Sequence, residues 1–171
     1  MCEPNGSTIR RISGGQIPLL TYFTKNESGT EKLLLMESKD IPHKMLSLDA
    51  YSKWLGIKIL SCEIGKCKLG MTVRKEMLNS MNKAHGAITY ALADTAFGFT
   101  ANTHGKYAVS IETSINHIEA LEEGDYLIAE ATLNLQKTKV GFNIVEVKRE
   151  NELVALFKGV VYRTSKDWEV S

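Results

Sequence analysis

Apolar residues recur with a regular period from about residue 46 onward, and lack one before it. Residues 49–55 read as a short helix stopped by Gly56. Residues 57–63 and 66–74 read as two strands joined by a turn at Gly65. A connector follows, and then residues 86–103, without proline and rich in small side chains: Ala87, Ala91, Ala93, Ala96, Gly98 and Ala101. Asn102-Thr103-His104-Gly105 supplies a helix stop. This segment is apolar almost all round, so it is expected to be a buried helix. Beyond it the period falls to two. Tyr107, Val109, Ile111 and Ile115 alternate with Ser110, Glu112, Ser114 and Asn116, and Leu127, Ala129, Ala131, Leu133 and Leu135 with Glu130, Thr132 and Asn134. Residues 140–148 and 153–163 add two more strands around a turn at Glu150-Asn151; a slip near Ile144-Val145 suggests a bulge.

Two strands, one long buried helix and four strands linked by short turns predict an α+β domain. An antiparallel sheet would wrap a single central helix. Residues 46–171 are expected to form this domain. Residues 1–45 are expected to form a partly irregular extension, because all three prolines and the Gly14-Gly15 and Ser28-Gly29 breaks lie there, with one short element around residues 32–36.

Composition narrows the function classes. The 171 residues suffice for one core, and 43% apolar with 24% charged residues is ordinary for a globular protein. A net charge of +1 offers nothing for nucleic acid or an anionic membrane. No apolar run reaches the roughly 18 residues of a membrane span, and the polar start is no signal peptide, so the cytoplasm is expected. Three cysteines, Cys2, Cys62 and Cys67, make no disulfide framework. Cys62 and Cys67 flank a turn, where they could face each other or join a metal site; two reduced thiols is the simplest reading. His43, His104 and His117 are scattered without ligand spacing, so no metal is expected.

The informative residue is Asp94, inside the apolar run Ile88-Thr89-Tyr90-Ala91-Leu92-Ala93-Asp94-Thr95-Ala96-Phe97. Aspartate disfavours helix interiors, and burying its charge unpaired costs several kcal/mol. A structural hydrogen bond would explain it; so would a general base or nucleophile whose pKa burial raises. A second feature opens the same helix, Ala84-His85-Gly86-Ala87. Its first N–H groups lack helical partners, and Gly86 lets a ligand approach the backbone, which suits an acyl oxyanion. Eight residues place Gly86 about 12 Å from Asp94 along the axis. One carbonyl must lie near both groups, so one helix cannot serve alone. A C2 dimer would set Asp94 of one chain against Gly86 of the other, making two shared sites.

These residues resemble the PaaI-like acyl-CoA thioesterases of the hotdog superfamily. The likeness runs over about residues 50–165 and is carried by Glu76-Met77-Leu78-Asn79, His85-Gly86-Ala87, Leu92-Ala93-Asp94-Thr95-Ala96-Phe97 and Ala155-Leu156-Phe157-Lys158-Gly159. It implies a hotdog fold and hydrolysis of acyl-CoA, with CoA as part of the substrate and no separate cofactor. It implies that Asn79 orients water or thioester, that Gly86, in the His85-Gly86 pair, polarises the carbonyl, and that Asp94 of the partner chain is base or nucleophile. Ser110 matches a position where some relatives carry an assisting hydroxyl. Ala87 departs from the family's second glycine, and Ser80 from a common glycine. Residues 118–125 lack the usual proline and basic residue, leaving Lys137 and Lys139 as candidates for the CoA phosphates. A homodimer, and a dimer of dimers, is the expected assembly. The rivals are a non-catalytic acyl-CoA-binding hotdog protein, which needs no base, and a hotdog dehydratase, whose His/Asp or His/Glu pair is not seen.

Overall fold

The structure is a computed structural model that describes residues 40–168 and, ahead of them, the backbone course of three short strands. Those strands, β1 (Ile9–Arg11), β2 (Leu20–Lys25) and β3 (Glu31–Met36), pair antiparallel in the order β1-β2-β3. The expected element at 32–36 is therefore β3. The expected breaks at Pro4, Gly14-Gly15, Pro18 and Ser28-Gly29, and Cys2, lie outside the described residues.

Helix α1 (Ile41–Leu48) opens with Pro42 in its first turn, where the missing N–H has no helical partner to lose. It buries Ile41 and Pro42, so the compositional break near residue 45 falls inside a packed helix. Helix α2 (Ala50–Leu55) is capped by the Asp49 side chain, which accepts the Ser52 N–H at 3.0 Å. It ends at Gly56, whose φ of 76° is left-handed. Then come β4 (Lys58–Glu63), β5 (Lys66–Thr72), the long helix α3 (Gly86–Asn102), β6 (Lys106–His117), β7 (Tyr126–Gln136), β8 (Val140–Arg149) and β9 (Glu152–Asp167).

The last six strands form one antiparallel sheet, ordered β4-β5-β7-β8-β9-β6. The chain leaves β5 near one edge, runs through α3 across the sheet, and lays β6 at the far edge. This is the α+β hotdog arrangement, a sheet against one long helix. Leu92, Ala93, Ala96 and Phe97 on α3 are almost fully buried against Leu69, Leu127, Ala129, Val145, Val147 and Phe157 of the sheet. The alanines let the helix axis sit close to the strands.

Two strands differ from the alternation read in the sequence. β8 has no bulge at Ile144-Val145: Gly141, Asn143, Val145 and Val147 all face inward and the register runs unbroken. The apparent slip arises because its outward residues Phe142 and Ile144 are themselves apolar. The irregularities fall between Leu133 and Leu135 and between Val147 and Lys148. In β6 the register shifts between Ser110 and Glu112, leaving Ile111 unmatched. Ala108 and Ile115 both pack on the core despite their opposite parity. The bulge therefore puts Ala108, Ser110, Thr113, Ile115 and His117 on the helix-facing row. Val109 and Ile111 are exposed.

Gly159 shows how tightly α3 is seated. A Cβ there would lie 2.8 Å from the buried Phe97 ring. Gly159→Ala is thus expected to lower stability by about 1–3 kcal/mol through overpacking, read as a lower urea midpoint at unchanged slope.

Candidate active site

The site's donor comes from the start of α3. His85 is the N-cap residue, and its Nδ1 accepts the Ala87 N–H at 3.1 Å. Its carbonyl accepts the Ile88 N–H at 2.8 Å, and its own N–H goes to Met77 O at 2.9 Å. The Gly86 N–H is left without a partner among the described residues, at the positive end of the helix. His85, expected near the chemistry, thus caps the helix and so points the remaining donor outward. Its cap requires Nδ1 unprotonated, so the neutral ring carries its hydrogen on Nε2.

Asp94 lies two turns further on, half-buried on the same helix. Among the described residues it has neither hydrogen bond nor ion pair. Burial alone pushes its carboxyl above the usual aspartate range. It faces a cleft of about 460 Å³ between α3 and the α1–α2 pair, lined also by Met45, Tyr51, Tyr90, Ala91 and Phe99. The cleft holds a second carboxylate, Asp49, but both its oxygens are engaged by Ser52, which also contacts Thr95 Oγ1 at 3.3 Å.

β6 runs antiparallel beside α3 and is tied to it at three levels. The His117 ring lies against Gly86, with Nε2 3.1 Å from where a Cβ would stand. Tyr90 and Thr113 share a hydroxyl hydrogen bond of 2.5 Å. The Asn102 side chain pairs with the Ala108 backbone at 3.0 Å in both directions. Ser110 lies between the last two levels, in the interval of the strand that flanks Asp94. The structure therefore brings His85 and His117 to Gly86 at the helix start, two turns from Asp94, and shows no contact between Ser110 and Asp94.

Asn79 sits in the loop leading into α3. Its Oδ1 accepts the Met81 and Lys83 N–H groups at 2.8 and 3.2 Å, so within the subunit it shapes that loop. Lys137 and Lys139 are exposed in the β7–β8 turn. That turn lies at the α3 C-terminal end, as Arg163 N–H to Lys139 O and the Arg163↔Ala108 pairing require. They are thus at the far end of the sheet from their own Gly86. Among the described residues no three His, Cys, Asp or Glu side chains cluster as a metal site. None of the helices in those residues is long and apolar enough to cross a membrane.

The sequence reading missed His117, Met45, Tyr51 and Asp49. His117 carried one usable signal, its place at the end of a strand that packs beside the helix start. The others sit on helices whose approach to α3 no local pattern encodes.

Comparison with known proteins decides the family. Residues 81–156 match the thioesterase superfamily. The chain is 37% identical over 122 residues to the acyl-coenzyme A thioesterase PaaI of Escherichia coli, covering 71% of this chain and 87% of that one. The chain belongs to the PaaI-like hotdog thioesterases. A putative esterase of Archaeoglobus fulgidus is 42% identical over 125 residues, 72% of this chain and 81% of its own. The solved E. coli PaaI protein, from the phenylacetic acid degradation operon, superimposes with a TM-score of 0.73 at 34% identity, covering 75% of this chain and 94% of its own. Thioester hydrolysis is the general chemistry of this thioesterase.

An unpaired, partly desolvated Asp94 has a consequence for stability with a definite sign. The folded state holds the pKa up, so folding disfavours the ionised form. The cost is absent at pH values below the ordinary aspartate pKa, develops as pH rises through it, and is complete above the raised value. Asp94→Asn should therefore melt higher than the wild type at neutral pH, with the gap closing in acid. A neutral-pH melting point lowered by the substitution would mean the carboxylate has a structural partner.

Proposed function

We propose that this thioesterase hydrolyses acyl-CoA at two equivalent sites of a C2 dimer, each combining Gly86 of one subunit with Asp94 of the other. The observation that carries the reading is the pair itself: a free N–H and an unpaired carboxylate on one straight helix, about 12 Å apart. β6 ends the sheet, and its outer side is an open strand edge of 12 residues with Val109 and Ile111 exposed. Such an edge favours pairing with a second copy. A two-fold axis at the level of Tyr90 and Thr113 brings Gly86 opposite the partner's Asp94, because Tyr90 is midway between residues 86 and 94. A second interface, making a dimer of dimers, would use the outward face carrying Leu135, Phe142, Ile144 and Tyr162, all exposed in the subunit.

In this site the Gly86 N–H holds the thioester oxygen and takes up the charge that develops on it. Asp94 either removes a proton from the attacking water or attacks the carbonyl itself; its raised pKa suits the first role. The tetrahedral species collapses, the C–S bond breaks, and CoA leaves as thiolate to be protonated by solvent. Asn79 keeps an amide NH₂ that the loop does not use, available to orient the water or thioester. Ser110 adds a hydroxyl on the strand that flanks Asp94. Lys137 and Lys139, at the end of the sheet beyond Asp94, take the CoA phosphates. Replacing both with alanine is expected to raise KM for acyl-CoA and leave kcat unchanged.

The decisive experiment is subunit mixing, with loss of the thioester absorbance as readout over a panel of acyl-CoAs. Asp94→Asn should turn over about 10²–10⁴-fold slower. Gly86→Pro removes the donor, while the first helical position tolerates proline. Refolded together in equal amounts, the two inactive variants should recover about a quarter of wild-type activity: half the dimers are mixed, and each mixed dimer has one intact site. No recovery, with mixed dimers verified by mass, would place both groups of each site in one subunit. Undiminished turnover by Asp94→Asn would remove it from the chemistry.

A further inference from the structure

Cys62 and Cys67 stand directly opposite each other in the β4–β5 hairpin. The hairpin turns through two residues, Ile64 and Gly65, so its closing pair Glu63–Lys66 exchanges backbone hydrogen bonds. Paired positions alternate, so the next pair outward, Cys62–Cys67, is the non-hydrogen-bonded kind. Cα atoms at such a pair lie about 4.5 Å apart, within the range a disulfide spans. Both side chains face α3: Cys67 lies in the core at 3% exposure and Cys62 packs against its edge. The two thiols are neighbours on that face, and each shifts the other's proton affinity. β4 is the outermost strand of the sheet, and Cys62 on it is only half-buried, so a small reagent reaches it before it reaches Cys67. The Gly65 N–H is tied to Thr103 Oγ1 at 2.8 Å, so the tip of the hairpin is anchored on α3 and the two strands are held in register.

We infer that Cys62 and Cys67 form a redox-active dithiol, separate from the hydrolytic site, that is oxidised to an intra-hairpin disulfide by low-molecular-weight disulfides. The Cys62 thiolate attacks one sulfur of RS–SR; the S–S bond breaks, Cys62–S–S–R forms, and RS⁻ leaves and takes a proton. Cys67 then loses its proton to solvent and attacks Sγ of Cys62, and the second RS⁻ departs. The protein dithiol is oxidised by two electrons and RSSR is reduced to two RSH. The asymmetry of the pair fits these roles. The hydrogen bond from Cys67 lowers the pKa of Cys62, which makes it the attacking thiolate. Giving that bond, together with burial and the neighbouring negative charge, pushes the Cys67 thiol far up. Formation of the mixed disulfide removes the thiolate that Cys67 was serving. Only then is its proton released, which sets the order of the two steps.

The test uses the full chain with Cys2→Ser, so that only this pair remains. It is incubated with oxidised glutathione across a range of reduced-to-oxidised ratios, acid-quenched, alkylated and weighed intact. The expected product loses both free thiols, gains no glutathione, and gives a peptide bridging Cys62 to Cys67. Cys67→Ala should stop with one glutathione on Cys62. Cys62→Ala should react at least about tenfold slower, since the remaining thiol is buried and protonated. Two free thiols persisting in excess oxidised glutathione would overturn the inference. So would Cys2→Ser protein that accumulates glutathione adducts without the bridge. The mass reading on the Cys2→Ser chain stands on its own should either alanine variant fail to fold.

Discussion

The seating of Phe97 on Gly159 is the contact on which the rest of the molecule hangs. The missing side chain at residue 159 admits the ring to within contact of the β9 backbone, and Phe157 closes on it at 5.5 Å between centroids. This fixes the height of α3 over the sheet. Tyr90, stacked edge-on to the same Phe157 and bonded to Thr113, fixes its rotation. Once height and rotation are set, every residue on the exposed side of α3 has a determined place. Gly86 and Asp94 inherit their positions from packing chemistry that involves neither of them.

That division of labour accounts for groups left unsatisfied. Among the described residues the Gly86 N–H has no partner and the half-buried Asp94 has no countercharge. Elsewhere the same helix is careful. Thr95 returns its hydroxyl to the Ala91 carbonyl at 2.8 Å, Thr103 to that of Thr100 at 2.7 Å, and Asn102 is fully engaged with Gly98 and Ala108. The Thr100 hydroxyl is the exception, buried on the same helix without a hydrogen-bond partner.

Much of this was legible in the residues, and the reasons for the misses are physical. α3 announced itself by length, small side chains and a terminal glycine, and Asp94 by violating the composition around it. Those are local signals, and they survive folding. The β6 bulge at Ile111 left no mark, because Val109 and Ile111 continue the apolar rhythm of the strand while facing away from the core. In β8 the reverse happened: Phe142 and Ile144 looked like an interruption because the outer face is also apolar. Strand alternation reports a half-buried sheet only when one face meets water. His117 looked idle because its neighbour, Gly86, is 31 residues distant and only the α3–β6 pairing brings them together. Asn79 was placed among the candidate groups by resemblance, and its carbonyl oxygen turns out to be holding a loop.

The case for the proposed shared site rests on the stiffness of one helix. A donor and a carboxylate borne on separate loops could close on a substrate by local movement. On α3 they cannot: the intervening residues, Ala87–Ala93, are locked in helical hydrogen bonds, and the helix is pinned to β6 at both ends. Such a helix keeps the two groups apart in its own subunit as firmly as it would hold them to a partner's. In the proposed dimer, two-fold symmetry would turn that separation into an advantage, since one rotation would match each Gly86 to an Asp94 and each Asp94 to a Gly86 without any new element. The position of the axis would then be the one free parameter, with the edge strand β6 as the seam. In the dimer proposed above, a register centred on Thr113 would make both sites complete.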